Sequence, residues 1–480
     1  MSDSNKPTIL IIGTLDTKLE EIHYLYHRIE EIDERCSAMI LDVGWKKENP
    51  ETSSSSSSSS STSPSSESIT DSIPPEKILR PESKDPCESS TSTSSSRNTH
   101  IDSIITRSIP LVTSLVQQNK IHGILSAGGS CNTSISTSIM RGSGCPIGFP
   151  RVMVSTMASG DIRSYVEESD ITIMPSIVDI AGLNDILTTI LNNAVNAVIG
   201  MVLGRVGRTE PAAKPQTENQ GQQQQQQQQQ KIKLAITMFG VTTPCVTHIR
   251  NLLAPSSRYE IYIFHATGTG GKAMESLLRT SSRNFCFDAI IDLTTTEIAD
   301  ELFSGILSAG PTRLECGPAS GIPYIVSVGA LDMINFGPLH TLPSDHRPPK
   351  SNRKIIQHNP SITLVRTTVA ENAQIGTFIT RKLSTHARNP DKIKVLLPTK
   401  GISLLDSPPP PPTGPDPGLD PQDQEGEAGF YDPDADEMLF GTIENGLKGT
   451  GIAVRRIEEE INSEGFARVV VRELESLLGL

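Results

Sequence analysis

The chain has 480 residues, a net charge of −13 and 36% hydrophobic residues, and its length predicts two or three domains with separate cores. Ten acidic residues and no Lys or Arg lie between Asp406 and Glu437, which leaves a net charge of only −3 for the other 448 residues. This distribution excludes a broadly acidic fold and a basic nucleic-acid-binding protein.

The first half of the chain alternates short apolar runs with stretches of helical periodicity. Apolar residues recur at helical spacing from Leu19 to Ile32 and again from Leu183 to Met201. Pro110 falls inside the helix predicted over Ile101–Gln118, where a proline kinks a helix or starts a shorter one. The predicted strands are Thr8–Ile12, Ala38–Val43, Gly123–Leu125, Val152–Val154 and Ile171–Met174.

The second half repeats this alternation of apolar runs and helical stretches. Its predicted strands are Ile232–Phe239, Ile261–Phe264, Ala289–Leu293, Tyr324–Val328 and Ile393–Leu397. Strands that alternate with helices over two halves predict an α/β fold class, with two doubly wound domains and mainly parallel sheets.

Three tracts have compositions that bury too little apolar surface to offset chain entropy, and we predict that they are disordered. They are Asn49–Asn98 with nine consecutive serines, Gly207–Gln230 with nine consecutive glutamines, and the Pro- and Asp-rich Ser407–Gly429. The predicted organisation is therefore a first domain at 6–206, a Gln-rich linker at 207–230 and a second domain at 231–480. The insertions lie at about 49–98 and about 407–429.

The sequence also predicts where the protein works. The first six residues lack the pattern of a secretory signal, and no run reaches the roughly 18 apolar residues of a membrane helix. The longest such run, Ala194–Leu203, predicts a core helix. Seven scattered cysteines, never spaced as CxxC, fit a reducing compartment. We expect a cytoplasmic protein that contacts neither membrane nor nucleic acid directly.

Because open parallel sheets bind ligands beyond the carboxyl ends of their strands, the turn after the first strand is the first candidate site. Gly13 permits a tight turn there, and the backbone N–H groups with Thr14, Thr17 and Lys18 are suited to a phosphate. The alternative is that Asp16 and Thr17 only cap the next helix, since Thr17 and Glu20 have the spacing of a capping box. This segment alone leaves both interpretations open.

Two later turns repeat the combination of glycine and hydroxyl groups. Gly128, Gly129 and Ser130 follow one strand and precede a helix start that contains Thr133, and Ser155, Thr156, Gly160 and Asp161 follow the next strand. Three such turns at one sheet edge favour a nucleotide or phosphorylated ligand over plain turn chemistry. Asp161 and Asp179 are candidates for a bridging magnesium ion, and the alternative for each is a cap or turn residue.

The second half has its own candidate residues. The glycine-rich run Thr267–Met274 lacks the hydroxyl that a phosphate loop places after its lysine, so we expect at most a small anionic or carbonyl ligand near Gly270 and Gly271. Thr294 and Glu297 have the spacing of a capping box. Further polar candidates near strand ends are Asp292, Thr294, Glu297, Asp332, His358 and Arg366. The alternative is that these residues stabilise a domain interface.

Many blocks of the sequence match the sequence motifs of a known protein family. They are Ile12–Lys18, Leu41–Gly44, Gly128–Ser130, Met153–Asp161, Ser169–Ile171, Val178–Asn184, Ala266–Met274, Asp292–Glu301, Ser308–Glu315, Gly329–Gly337, His358–Pro360, Arg366 and Ile461–Asn462. In these blocks the chain resembles an uncharacterised protein family typified by the plant tobamovirus-resistance protein. The resemblance covers nearly all of both ordered halves.

This resemblance implies an amino-terminal ATP-binding domain and a second α/β domain, each Rossmann-like and often assembled as dimers. It assigns a nucleotide-binding role to Gly13, Thr14, Asp16, Thr17, Gly128, Gly129, Ser130 and Thr133, which we extend to Ser155, Thr156, Gly160 and Asp161. The plant member inhibits viral RNA replication by binding the viral replication protein. In plants a barrel resembling phosphoenolpyruvate mutases usually follows the two domains, and this sequence ends at Leu480 without one.

The chain also departs from the family pattern. Cys131 and Asn132 stand where the family usually has further glycine, and their bulk is expected to narrow the approach of a phosphate to the backbone. The three low-complexity tracts look like insertions relative to the family's sequence pattern.

Three functional hypotheses follow. The leading one is an ATP-binding protein, with or without magnesium, in which ATP either regulates assembly with a partner or another copy, or is consumed slowly. The alternatives are an ATP- or metal-dependent enzyme acting on a small acid in the cleft between domains, and a partner-binding scaffold. Five carboxylates are expected to face a site or to cap a helix near Asp434: Asp406, Asp432, Asp434, Asp436 and Glu437.

Overall fold

The computed structural model describes residues 6–44, 73–81, 94–209, 231–279, 286–406 and 429–480. The chain divides into two compact units, Met1–Gly221 and Gln222–Leu480. Each unit contains a six-stranded parallel sheet with apolar cores on both faces, which confirms the predicted class of two doubly wound, Rossmann-like α/β domains.

The sheet of the first unit has the order β3-β2-β1-β4-β5-β6, and all five neighbouring pairs are parallel. Successive side chains point to opposite faces, so Ile9 and Ile11 join one core while Leu10 and Ile12 join the other. The strands are β1 (Thr8–Gly13), β2 (Ser37–Asp42), β3 (Ile78–Leu79), β4 (Gly123–Gly128), β5 (Arg151–Ser155) and β6 (Thr172–Pro175). The helices are α1 (Leu19–Ile32), α2 (Ser94–Gln117), α3 (Ser130–Gly142), α4 (Arg163–Val166) and α5 (Asp185–Thr209).

Part of the first tract predicted to be disordered is ordered. Ile78 and Leu79 form β3, which pairs with Ile40 and Leu41 of β2, and Ile73 is buried. The disorder prediction is therefore wrong for residues 73–81, where apolar residues extend the sheet edge. The prediction is also wrong for residues 94–98, which belong to α2, and for residues 207–209, which belong to α5. The parts of the three tracts at 49–72, 82–93, 210–230 and 407–428 lie outside the described residues.

Two predicted helix boundaries differ from the structure. Helix α2 continues through Pro110 and neither starts nor ends there. Helix α1 begins at Leu19 without a side-chain cap, so the capping box expected from Thr17 and Glu20 is wrong. The hydroxyl of Thr17 instead lies 2.7 Å from that of Thr14.

Helix α5 is longer and more apolar than the sequence pattern predicted. By length and composition alone, Asp185–Gly207 passes the test for a membrane-spanning helix, although it contains no uninterrupted run of about 18 apolar residues. Core helices meet the same criterion. One face of α5 packs in the core of the first unit, and it includes Leu187, Leu191, Val195, Val198 and Val202.

The main sheet of the second unit has the order β15-β14-β10-β9-β7-β8, again with parallel pairs. Its strands are β7 (Ile232–Met238), β8 (Tyr259–His265), β9 (Ala289–Thr294), β10 (Tyr324–Gly329), β14 (Ile393–Pro398) and β15 (Ala453–Ile457). The helices are α6 (Thr243–Leu253), α7 (Thr269–Arg279), α8 (Glu297–Leu302), α9 (Cys316–Ser320), α10 (Val369–His386), α11 (Pro433–Leu447) and α12 (Glu464–Leu478).

A small antiparallel sheet, which the sequence pattern did not predict, follows β10. Its order is β11-β13-β12, formed by β11 (Met333–Phe336), β12 (Ile355–Asn359) and β13 (Ile362–Arg366). This sheet places Arg366 at the end of β13.

The start of α7 packs so closely on the end of β8 that only glycine fits at position 270. A Cβ on Gly270 would overlap the backbone carbonyl of His265, whereas a Cβ on Gly240 of the same unit meets no atom within 4 Å. We predict that Gly270→Ala lowers the free energy of unfolding of the second unit by about 1–3 kcal/mol through overpacking. The matched variant Gly240→Ala changes it by less than about 0.5 kcal/mol. Urea unfolding of both variants measures the difference, and equal stabilities would contradict the close packing.

Candidate functional site

A cavity of about 290 Å³ lies where the turns that follow β1 and β4 meet. These two strands are neighbours in the first sheet, but their connections diverge, since α1 leads from β1 to β2 and α3 leads from β4 to β5. This is the topological switch point of a doubly wound sheet, where such folds bind ligands. The position of the cavity therefore follows from the strand order.

The turn after β1 supplies one side of the cavity through Thr14, Asp16, Thr17 and Lys18. The backbone N–H groups of Thr17 and Lys18 donate to the carbonyl of Thr14 at 3.2 and 2.8 Å. The carboxylate of Asp42 accepts from the N–H of Leu15 at 3.1 Å. These bonds hold the turn in a fixed shape at the edge of the sheet.

The start of α3 supplies the opposite side through Gly129, Ser130, Cys131 and Asn132. Gly129 is the N-cap and has no side chain to satisfy the first N–H groups of the helix. Those donors and the positive end of the helix dipole therefore lie at the cavity, an arrangement that favours an anion. Space is open at Gly129, since the nearest atom to a Cβ there is the hydroxyl oxygen of Thr156, at 3.8 Å.

Asn132 was expected to narrow the approach to this turn. Its side-chain amide donates to the hydroxyl of Ser126 at 3.1 Å and to the carbonyl of Ala127 at 2.9 Å, and the residue is buried. The amide of Asn132 is therefore bonded to the end of β4. A Cβ on Gly128 would press against Asn132, so this glycine allows the close packing.

The third predicted turn contacts α3 but does not line the cavity. The buried hydroxyl of Ser155 lies 2.7 Å from that of Thr133, which in turn donates to the carbonyl of Gly129 at 2.8 Å. Gly160 and Asp161 are exposed and are not among the residues that line the cavity. The hydrogen bonds from Arg163 lower the pKa of Asp161 to about 2.

The two magnesium candidates make local contacts. Asp161 pairs with Arg163 at 2.7 Å, and the carboxylate of Asp179 accepts from the N–H of Ile180 at 2.8 Å. Among the residues that the structure describes, no group of three or more His, Cys, Asp or Glu is arranged to hold a metal ion. Asp16 is the carboxylate that lines the cavity.

Sequence reasoning missed the apolar wall of the cavity. This wall comes largely from the first turns of α2, which begins in the Ser-rich tract predicted to be disordered. The helical spacing of Ile101 and Ile104 was the available signal. The residues concerned are Val43, His100, Ile101, Ile104 and Ile135.

The glycine-rich turn of the second unit holds an anion that belongs to the chain itself. The N–H groups of Gly268 and Gly271 donate to the carboxylate of Glu297 at 2.7 and 3.0 Å. A Cβ on Gly271 would overlap that carboxylate. The position where a small anionic ligand was expected is therefore occupied by Glu297.

Thr294 and Glu297 do not form the predicted capping box at α8. The hydroxyl of Thr294 lies 2.8 Å from that of Thr242, within the buried edge of the sheet. Glu297 instead contacts the turn before α7, as its bonds to Gly268 and Gly271 show.

Arg313, which sequence reasoning did not single out, is fully buried beneath this turn. Its guanidinium donates twice to Asp292, at 2.6 Å each, and to Glu297 at 2.8 Å. Tyr324 also donates to Asp292, at 2.7 Å. Burial raises the pKa of Glu297 above its ordinary value. Both predicted site carboxylates therefore have partners within the unit, and removing Arg313 would leave them as uncompensated buried charges.

A second buried cluster surrounds Arg366. Its guanidinium donates to Asp436 at 2.7 Å and lies 3.8 Å from Asp406, while Ser403 donates to Asp332 at 2.7 Å. Burial raises the pKa of Asp332 to about 6 and that of Asp406 to about 9. Burial and the nearby carboxylates of Asp332 and Asp436 therefore favour the protonated form of Asp406, which contacts Asp436.

The remaining candidates of the second unit lie elsewhere. His358 is exposed on β12, an edge strand of the small sheet. Asp432 caps α11 by accepting from the N–H of Ala435 at 3.1 Å, as expected for a helix near Asp434. Glu437 pairs with Arg456 at the surface, and Asp434 is exposed.

The Arg366 cluster predicts a pH dependence of stability. Because the pKa of Asp406 rises from 3.8 to about 9 on folding, the folded protein binds the extra proton, and the free energy of unfolding falls as pH rises through this range. We predict that Asp406→Asn removes up to about 1.4 kcal/mol per pH unit of this slope. Urea unfolding between pH 6 and 9 measures how the free energy of unfolding changes with pH. This range lies above the pKa of Asp332, which is about 6. The exposed control Asp434→Asn should retain the wild-type slope, and an unchanged slope in Asp406→Asn would contradict the proton assignment.

Comparison with solved structures shows remote likenesses. The Staphylococcus aureus MnaA-UDP co-structure is 11% identical, with a TM-score of 0.20, and the match covers 67% of this chain and 79% of that one. Medicago truncatula UGT71G1 complexed with UDP-glucose is 10% identical, with a TM-score of 0.22, and the match covers 68% of this chain and 82% of that one. Structural similarities this weak do not support any statement about a ligand of this chain.

Comparison with known sequences gives much stronger matches. The chain is 35% identical over 470 residues to a UPF0261 protein of Clostridium tetani (strain Massachusetts / E88), and the match covers 98% of each. It is 32% identical over 482 residues to the ToMV resistance protein Tm-1(GCR237) of Solanum lycopersicum, covering 98% of this chain. The chain spans 56% of the length of the tomato protein.

The family models match both units. The N-terminal domain model of the uncharacterised protein family UPF0261 matches residues 7–206, and its C-terminal domain model matches residues 231–416 and 413–478. Together with the relatives, these matches confirm the resemblance drawn from the sequence blocks: the chain belongs to the uncharacterised protein family UPF0261.

Proposed function

We propose that the protein binds ATP, with the nucleotide at the switch point of the first unit. The observation that carries this proposal is the cavity itself, where the turns after β1 and β4 come together. The start of α3 presents backbone donors, the turn after β1 presents hydroxyl side chains, and the two strands are adjacent and parallel. That combination at that place is typical of nucleotide sites in doubly wound folds.

The phosphates of the nucleotide would lie against the start of α3. Its first N–H groups have no side-chain cap, and Ser130 lines the cavity beside them. Across the cavity, the hydroxyls of Thr14 and Thr17 and the ammonium of Lys18 supply further donors. These groups are suited to a polyphosphate because they combine several N–H and O–H donors with a positive charge.

The apolar wall suits the nucleoside end of the ligand. Ile101 and Ile104 from α2 face the cavity together with Ile135 from α3. The volume of about 290 Å³ lies near the lower end of the range of roughly 300–1,000 Å³ that is usual for small-molecule sites. The cavity therefore suits the phosphates and part of the nucleoside.

A magnesium ion would accompany the phosphates, as it does at most ATP sites, and Asp16 is the carboxylate placed to contact it. Asp161 and Asp179 are less suited, since their carboxylates contact Arg163 and the N–H of Ile180. Mg²⁺ commonly binds through one or two carboxylates plus phosphate oxygens, so one aspartate is sufficient.

The proposal extends to regulation. We propose that the protein works in the cytoplasm, and that its assembly with a protein partner or with a second copy of the chain depends on whether nucleotide is bound. This part of the proposal rests on the similarity to the tomato resistance protein, which matches 98% of this chain. The enzyme hypothesis gains no support from the second unit, where Asp292, Glu297 and Arg366 bond to groups of their own unit.

Gly129→Val tests the site, because a bulky side chain at this position blocks the approach of a phosphate to the start of α3. The backbone at Gly129 is extended and the space around it is open, so the fold should tolerate valine. We predict that the variant binds Mg-ATP about 100-fold more weakly, as expected from the loss of one or two charge-assisted hydrogen bonds. Isothermal titration calorimetry measures the affinity.

The matched control is Gly160→Val. Gly160 lies on the neighbouring turn, is exposed and does not line the cavity, so its substitution should leave the affinity for Mg-ATP unchanged. If the wild-type protein takes up no Mg-ATP, or if both variants bind it as tightly as the wild type, the proposed function is wrong.

A further inference from the structure

We infer that the loop between β6 and α5, residues 176–184, is a switch whose conformation responds to the phosphate groups of the nucleotide. This inference rests on the proposed function, and it names the regulation of that same site. The link between the two is Lys18, which lines the cavity and also bonds to the loop.

Lys18 contacts the cavity and the loop at the same time. It is the N-cap residue of α1, and its ammonium donates a hydrogen bond to the backbone carbonyl of Ile180. The partner is a neutral carbonyl, so the positive charge of Lys18 is not neutralised by this bond. An ammonium forms stronger hydrogen bonds with an anion than with a neutral acceptor. A phosphate in the cavity would therefore compete with Ile180 for Lys18.

The loop itself is held in a strained conformation. Ile177 has a φ of 63°, in a region that a β-branched residue rarely adopts. The N–H of Val178 donates to the carbonyl of Ser176 at 2.7 Å, which closes a tight three-residue turn around Ile177. Such conformations persist only where surrounding contacts hold them.

The strain at Ile177 is not offset by burial, since 77% of the residue is exposed. The hydroxyl of Ser176 braces the turn by donating to the carbonyl of Val178 at 2.6 Å, and the N–H of the same residue donates to the carbonyl of Ser155 at 3.2 Å. Two further bonds tie the loop to α1: one from Lys18 to Ile180, and one from the N–H of Gly182 to the buried carboxylate of Glu21 at 2.8 Å. Loss of the bond from Lys18 removes one of these two ties to α1.

The remaining contacts limit how far the loop moves. The side chain of Ile180 is fully buried in the core, and the bond between Gly182 and Glu21 does not involve the cavity. The switch is therefore local. When phosphate draws Lys18 away, the strained turn at Ile177 relaxes while the loop stays attached at Ile180 and Gly182.

Amide hydrogen exchange of peptides that cover residues 176–184 tests the switch in the full chain. We predict that saturating Mg-ATP raises the exchange rate of this loop by about tenfold or more, as expected when a charge-assisted hydrogen bond is lost. Parallel calorimetry establishes that the nucleotide is bound. Sodium pyrophosphate should produce the same increase, because the competing groups are the phosphates.

Lys18→Met identifies the contact responsible. This variant should show the raised exchange without any ligand and no further increase with Mg-ATP. The matched control is Lys77→Met, since the ammonium of Lys77 also makes a hydrogen bond in the first unit, to the hydroxyl of Ser37 at 2.9 Å, but does not line the cavity. This control should behave as the wild type does.

The outcomes separate the two proposals. Calorimetric binding of Mg-ATP with unchanged exchange in residues 176–184 contradicts the switch and leaves the proposed function standing. Wild-type exchange in unliganded Lys18→Met also contradicts the switch, because it shows that this bond does not hold the loop. Absence of Mg-ATP binding contradicts the proposed function and the switch together.

Discussion

The order of the parallel strands in the first unit is the constraint on which the candidate site depends. The chain leaves β1 toward β2 on one side and leaves β4 toward β5 on the other, so the two turns diverge above neighbouring strands. The divergence opens a space at the carboxyl edge, and it brings the hydroxyls of one turn and the backbone donors of the other to that space. This arrangement of strands determines where the cavity, the start of α3 and Lys18 lie.

The two units use similar turns in different ways. In the first unit, the helix that follows β4 has a glycine N-cap, and its first donors face the cavity. In the second unit, the donors of Gly268 and Gly271, in the turn after the edge strand β8, bind Glu297, which also pairs with Arg313. The second unit thus satisfies its anion-binding turn internally, and the buried ion pairs contribute to its structure rather than to an open site.

Local patterns predicted much of the fold and part of the candidate site. Apolar runs identified five of the six strands in each parallel sheet, and Gly129 was predicted because glycine before a helix start is a local signal. The cavity wall from α2 was missed although a helix was predicted over Ile101–Gln118, because no local pattern shows that its start lies beside the turns after β1 and β4. Arg313 was missed because its partners Asp292 and Glu297 are 21 and 16 residues away, and no pattern of spacing reports such contacts.

The position of bound nucleotide tests the central claim most directly, and a crystal structure of the full chain with a non-hydrolysable Mg-ATP analogue would establish it. The expected result is electron density for the phosphates between the start of α3 and the turn that contains Thr14, with the nucleoside against Ile101 and Ile104. Nucleotide density at any other place, including the glycine-rich turn of the second unit, would contradict the claim that the switch point of the first unit is the binding site.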